Sequence, residues 1–244
     1  MDFVYTTTYT VTGLHTDCFG LCRPSNLLRF SQEAAEGHCH LLGADRAAMD
    51  EKKFFWAIIR QRMEITRLPK LGETITLKTW PMPTTRVAYP RAAEGFDEAG
   101  NSLFKIISVW IIMDKTTRAM ILPGKSNVIV EGTQFGTELK PPLGLPAGTF
   151  DQHIQRQVTF FDLDQNAHMN NTRYLDWIFD LYPAAYHREH PLKAVTVCYN
   201  SEALEGQIMD LSWSEGAVLR LDGSVSDTDA SQGHTRIFSA QLEF

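Results

Sequence analysis

Asp162-Leu163-Asp164-Gln165-Asn166-Ala167-His168-Met169-Asn170-Asn171 is the stretch on which the reading of this chain turns. It follows an apolar, partly alternating run, Ile154 to Phe161, that predicts a strand. It precedes Tyr174-Leu175-Asp176-Trp177-Ile178-Phe179-Asp180-Leu181, where apolar residues fall at helical spacing. Between the two, polar side chains recur at every second position: Asp162, Asp164, Asn166, His168 and Asn170. In an extended segment they share one face. Asn170 or Asn171 suits a helix N-cap. The stretch therefore predicts a strand-to-helix corner. A His, an Asn and carboxylates converge there near backbone N–H groups that lack helical partners. Such groups, aided by the helix dipole, can hold a developing oxyanion. Asp and Asn are also common turn formers, so a plain capping loop is the other reading of the same residues.

Working outward, the bulk properties narrow the class. The chain has 244 residues, 43% of them hydrophobic, enough for a sizeable core in one large domain or two small ones. A formal charge of −6 argues against general nucleic-acid binding. No uninterrupted apolar run reaches transmembrane length. The start, Met1-Asp2-Phe3-Val4-Tyr5-Thr6, lacks the basic-then-apolar build of a signal peptide, so a cytoplasmic protein is the simplest expectation. Four cysteines, Cys18, Cys22, Cys39 and Cys198, form no dense framework, and reduced thiols are expected. Cys18 and Cys22 with His38-Cys39-His40 do not have the spacing of a zinc finger, and no metal or cofactor is expected.

Along the chain, Phe3 to Val11 predicts a strand and His15 to Gly20 a turn. Pro24 and Ser25 open a helix that runs to about Leu42 and is closed by Gly43. Strands are expected over Phe54–Leu68, Thr74–Trp80, Thr85–Glu94, Leu103–Met113 and Thr117–Leu122, with a hairpin turn at Asp97-Glu98-Ala99-Gly100-Asn101. Residues 123–150 are punctuated by Pro and Gly and read as irregular. After them the order repeats: strand, polar corner, a helix from Asn171 to about Tyr186 that Pro183 ends or kinks, then four strands. These are Ala194–Glu202, Gln207–Ser214, Val218–Ser226 and His234–Phe244, with Gly216 and Asp222-Gly223 marking turns and Asp227 to Gly233 a loop. The expected organisation is a first half over 1–135, a linker over 136–150 and a second half over 151–244. Each half is a helix on an antiparallel sheet, an α+β arrangement. Asp17-Cys18-Phe19-Gly20-Leu21-Cys22 stands in the first half where Asp164 to His168 stands in the second. Gly20 and Cys22 fall near the places of Asn166 and His168, so one active site per chain is expected.

Asp164-x-Asn166-x-His168-Met169-Asn170-Asn171-x-x-Tyr174-x-x-Trp177 resembles the signature of the acyl-ACP thioesterases, which end fatty-acid synthesis. Val197-Cys198-Tyr199-Asn200-Ser201-Glu202-Ala203 resembles the segment that carries that family's catalytic glutamate. Phe55-Trp56 through Ile65, Thr79-Trp80-Pro81 and Ser108 to Arg118 resemble its first half, so the likeness covers most of the chain. The resemblance implies a double hotdog fold, hydrolysis of fatty acyl-acyl carrier protein, an acyl-pocket half followed by a catalytic half, and a possible homodimer. It also implies four catalytic residues: Asp164, Asn166, His168 and Glu202. The plant sequences often have a Cys directly after the Glu, where this chain has Ala203. They also have a basic pair before it, where this chain has Tyr199-Asn200-Ser201.

Thioester hydrolysis needs a base, an oriented water and donors for the oxyanion. Glu202 and His168 both suit the base. The reading here favours Glu202, with Asn166 and His168 positioning water and substrate and Asp164 fixing a donor. Ala203 excludes thiol attack from that position. Phe54, Phe55, Trp56, Trp80 and Trp110 suit either an acyl tunnel or plain core. An acyl-CoA thioesterase of the same fold and a non-catalytic acyl-binding module are the alternatives. A hotdog hydratase is disfavoured because its His-x-x-x-Gly-x-x-x-x-Pro pattern is missing. Residues 1–135 hold 16 Lys+Arg against 14 Asp+Glu, and residues 136–244 hold 7 against 15. Docking of an acidic carrier is therefore expected on the first half, around Arg60, Arg62, Arg67 and Lys70.

Overall fold

The computed structural model describes residues 3–130, 132, 133, 135, 136, 139–226 and 234–244. The chain divides into two compact units, Met1–Pro142 and Leu143–Phe244. Among the described residues no helix is long and apolar enough to cross a membrane.

The first unit opens with β1 (Tyr5–Thr10) and a single 3-10 turn, Gly13–His15. Helix α1 (Pro24–Leu41) follows, with proline in its first turn, where a missing N–H costs nothing. Gly43, at φ 64°, takes the left-handed position that ends it. Leu27, Leu28, Phe30, Ala34, Ala35 and His38 line its buried face. Each large apolar side chain there contributes about 1.5–3 kcal/mol by leaving water. A short α2 (Arg46–Glu51) is capped by Asp45, whose carboxylate accepts from Ala48 N. Then come β2 (Phe54–Ile65), β3 (Thr74–Pro81), β4 (Tyr89–Phe96), β5 (Ser102–Asp114) and β6 (Met120–Ile121). The sheet runs β1-β3-β4-β5-β2, antiparallel throughout, with β6 also on β5. Strand β5 is buried along most of its length, as its continuous apolar run predicts. The β4–β5 hairpin turns at Asp97–Asn101, with Gly100 at φ 84° and Asn101 N on the Asp97 carboxylate at 2.8 Å. The stretch after β6 is not wholly irregular: Pro123–Ser126 forms a one-turn helix, α3, because Pro123 at its start is preset for helical φ. Trp80 is buried, while Phe54, Phe55, Trp56 and Trp110 are half-buried. Trp56 donates to Ala44 O at 2.9 Å and Trp110 to Ser108 Oγ at 2.8 Å.

The second unit repeats the plan. It has β7 (Gln152–Gln157), a 3-10 turn at Phe160–Asp162, α4 (Arg173–Phe179), α5 (Ala184–Glu189), β8 (Ala194–Tyr199), β9 (Ile208–Ser214), β10 (Leu219–Ser226) and β11 (His234–Glu243). Its sheet order is β8-β11-β10-β9-β7, again antiparallel. Three expectations need correction. The strand before the corner ends at Gln157, because Thr159 caps the 3-10 turn and diverts the chain. The predicted helix is two short helices, interrupted before Pro183, whose ring cannot continue α4. Asp222-Gly223 is not a turn but lies inside β10. There the Phe238 ring occupies the space above Gly223, and a Cβ on residue 223 would stand 2.1 Å from Phe238 Cε1. The expected loop from Asp227 to Gly233 lies outside the described residues. Trp177, Tyr174 and Phe238 form the centre of this core, with the Tyr174 and Phe238 rings 4.5 Å apart.

Candidate active site

The polar corner is not extended. After the 3-10 turn the chain rises and doubles back in a tight arc: Asp164 N donates to His168 O at 2.8 Å, and Ala167 N to Asp164 O at 3.0 Å. Leu163 and Met169 bridge below it, and Asn170 N bonds Asp162 O at 2.8 Å. The alternation of polar residues therefore does not create one flat face. Asp164, Asn166 and His168 sit on a closed turn, and Ala167 at φ 61° makes its sharpest bend. Many of the corner's amides are already taken. Asp164 Oδ1 holds Asn166 N at 2.7 Å, Asn170 Oδ1 holds Thr172 N at 2.9 Å, and Asn170 O holds Arg173 N at 2.9 Å. The N-cap of α4 is Thr172. Asn170 acts two residues earlier, also accepting the Thr172 hydroxyl at 2.8 Å.

Glu202 reaches this turn from a distant part of the sequence. It lies beyond the end of β8, in a segment held to the turn by Met169 N donating to Ala203 O at 2.9 Å and by a bridge between His168 and Leu204. That register puts Glu202 Oε1 3.3 Å from His168 Nδ1. The two side chains are 43% and 23% exposed, so water reaches the pair. Asp164 is half-buried and Asn166 exposed. Tyr174, buried beneath, has its hydroxyl proton held more tightly than usual, first by burial and then by the negative fields of Asp164 and Glu202. Tyr199 donates to Asn171 O at 3.1 Å and ties the end of β8 to the corner.

Asp162, read from sequence as one more member of the polar face, is buried at 3% exposure. Its Oδ2 accepts from Thr159 N at 2.9 Å and Thr159 Oγ1 at 2.8 Å. Its Oδ1 accepts from Trp177 Nε1 at 3.1 Å and Arg173 Nη2 at 3.1 Å. Burial works against its charge, but these hydrogen bonds outweigh it and hold the carboxyl below its ordinary value. The signal in the sequence was Thr159-x-x-Asp162, the spacing of a reciprocal cap.

The first unit contains the same turn, residue for residue. Asp17 N bonds Leu21 O, Gly20 N bonds Asp17 O, Thr16 and Cys22 bridge, and Arg23 N bonds His15 O. Asp17 stands for Asp164, Phe19 for Asn166 and Leu21 for His168. Gly20 and Cys22, expected near those two places, lie one residue further on. Neither Phe19 nor Leu21 can carry a proton or orient water.

The thiols stand apart from the pair. Burial, then the Asp17 charge, pushes Cys22 up to about 12 despite Arg23, and burial raises Cys39 despite Arg91. Cys198 is buried with Sγ 3.8 Å from Leu143 O. Among the described residues no group of three or more His, Cys, Asp or Glu could hold a metal ion. Of the four basic residues expected to meet a carrier, Arg62 is paired with Glu64 at 2.9 Å, and Arg67 with Glu73 at 2.6 Å and Asp97 at 3.3 Å.

Comparison with known proteins bears on the family and the fold. Residues 2–122 match the model of the acyl-ACP thioesterase N-terminal domain, and residues 149–241 that of the acyl-ACP thioesterase C-terminal domain. A palmitoyl-acyl carrier protein thioesterase of Gossypium hirsutum is 28% identical over 72% of this chain and 46% of its own length. Oleoyl-acyl carrier protein thioesterase 2 of Arabidopsis thaliana is 25% identical over 85% of this chain and 62% of its own. The chain thus spans about half or a little more of these curated relatives. In structure it is similar to an acyl-ACP thioesterase from Bacteroides thetaiotaomicron, with a TM-score of 0.89 at 19% identity over 100% of this chain and 98% of the other. A 12:0-ACP thioesterase from Umbellularia californica gives 0.80 at 20% identity over 100% and 97%. At these identities the two structures speak for the fold, a double hotdog.

Proposed function

Because this chain belongs to the acyl-ACP thioesterase family, we propose that it hydrolyses the thioester of a fatty acyl-acyl carrier protein, releasing the free fatty acid and ending chain elongation. The observation that carries this reading is the His168–Glu202 pair at 3.3 Å, set on a turn with Asn166 and Asp164 and open to water.

In the proposed reaction Glu202 takes a proton from water as the water oxygen attacks the thioester carbonyl carbon. Asn166 and His168 hold the water and the carbonyl in line, and Asp164 stiffens the turn through the Asn166 amide. The tetrahedral intermediate collapses with cleavage of the carbon–sulfur bond, and the proton passes to the departing carrier thiolate. A base in contact with solvent suits a reaction whose second substrate is water. One site per chain follows, since Phe19 and Leu21 replace the working residues in the first unit. In this proposal the first unit shapes the acyl pocket. The acidic carrier meets Lys70 and Arg60, the two of the four expected residues whose side chains have no acidic partner among the described residues; Arg60 lies 3.4 Å from Pro142 O. A cytoplasmic homodimer belongs to the same proposal.

Thiol release from purified protein given acyl-carrier protein or acyl-CoA, each at varied concentration, tests it. A kcat/KM at least about tenfold higher for the carrier-bound substrate is expected. Preference for acyl-CoA would reassign the carrier. Saturable binding of both without thiol release would make the protein an acyl-binding module.

A further inference from the structure

We infer that Asp162 is a positioning residue for this reaction: its buried carboxylate holds the turn bearing Asn166 and His168 in register with Glu202. The inference rests on the reading of Glu202 and His168 given above. Asp162 joins three pieces of chain. Its side chain grips Thr159 at the entry to the corner, and Arg173 and Trp177 on α4. Its backbone oxygen takes Asn170 N at the exit. The arc from Leu163 to Met169 stands on that base, so His168 can shift only if the base does.

The first unit shows that the turn does not need this carboxylate in order to fold. There His15 occupies the equivalent position, half-buried. Its Nδ1 accepts Thr12 N at 3.1 Å, and the backbone bonds of the turn are the same. Asn26 stands where Arg173 stands; it donates to the His15 backbone oxygen at 2.8 Å and accepts from Arg29 at 2.8 Å. A buried, fully hydrogen-bonded charge is costly to assemble and is favourable only when its partners are fixed. It occurs in the unit that carries His168. That unit also has the shorter helix: α4 has 7 residues against 18 in α1, so it offers less buried surface to hold the corner by packing alone.

The test is a double-mutant cycle on thiol release. Asp162→Asn keeps the side chain's shape but removes its charge and one acceptor oxygen. Misplacing a reacting group by about 1 Å can cost about 10²-fold, so kcat should fall about 10- to 100-fold with KM within about twofold of the parent. In a Glu202→Gln background the same substitution should cost less than about threefold, because the alignment it protects no longer matters. Thr159→Val, at an exposed position, removes one hydrogen bond from the carboxylate and should give a smaller loss with the same dependence on Glu202. It serves if Asp162→Asn does not fold. Equal losses in both backgrounds would show general loosening and overturn the inference, as would a parental kcat in Asp162→Asn. A parental kcat in Glu202→Gln alone would overturn the assignment of the base, and this inference with it.

Discussion

Glu202→Gln separates a base from a mere partner of His168. The pair spans 3.3 Å, but both side chains meet solvent. Ion pairs as exposed as this contribute about 0.2–1 kcal/mol. At about 1.36 kcal/mol per tenfold, their loss accounts for at most about fivefold in rate. Glutamine also keeps an oxygen able to accept from His168 Nδ1, so the structural cost is smaller still. A positioned general base contributes about 10²–10⁴-fold. The two explanations are therefore more than tenfold apart. Steady-state thiol release, with kcat and KM measured separately and folding checked by circular dichroism, should show kcat reduced by at least about 10²-fold and KM little changed. A folded Glu202→Gln enzyme with kcat within about fivefold of the parent refutes the reasoning and moves the base to His168.

His168→Ala and Asn166→Ala should each lower kcat by orders of magnitude, and the double variant should resemble the worse single one, since groups acting as a unit are not additive; multiplicative losses in the same assay would mean that the two act separately. Replacing Cys18, Cys22, Cys39 and Cys198 together should leave kcat in the folded protein near that of the parent, as should chelator, because the raised Cys22 and Cys39 thiols are not thiolates at neutral pH; a loss in a folded variant restores a thiol mechanism. Lys70→Glu with Arg60→Glu should lower kcat/KM for the carrier-bound substrate and flatten its dependence on salt, and an unchanged salt slope would move docking elsewhere. Asp162 is held below its ordinary value in the folded state, so it adds stability above about pH 4, which is lost as the pH falls and the folded carboxylate takes up its proton. Urea titrations from pH 7 to 2 should show a smaller acid-induced loss in Asp162→Asn than in the parent, and equal losses would count against a native-state carboxylate at that position.

What the sequence made legible differs by the range of the interaction. Strand β5 and helix α1 were readable because their signals are local: a continuous apolar run, and an apolar stripe between Pro24 and Gly43. The His168–Glu202 contact was not, since it depends on the Met169–Ala203 hydrogen bond between distant segments. Only the family resemblance had paired those residues. Asp222-Gly223 misled because its glycine serves a ring packed from β11 and not a bend. Asp162 misled because alternation implies a common face only in extended chain, and the 3-10 turn takes Asp162 out of that face before the arc begins. The basic cluster was visible as composition, but composition does not show that Glu64, Glu73 and Asp97 already neutralise half of it.

Ala167 and Gly20 occupy the same point of the two arcs, at φ 61° and 73°. Glycine rests there without penalty, whereas an L-alanine in that left-handed bend is strained by about 1–2 kcal/mol. The two arcs therefore differ in resting tension. The first is relaxed, and Asp17 Oδ1 braces it twice, accepting from Phe19 N at 2.8 Å and Leu21 N at 3.0 Å. The second is cocked: its backbone is forced into the wrong hand by the closures on either side, and any slackening of those closures lets the alanine spring back toward a right-handed shape. The histidine is the very next residue, so such a recoil would swing it away from Glu202. The arc that bears His168 is thus the one whose bend depends on its fastenings.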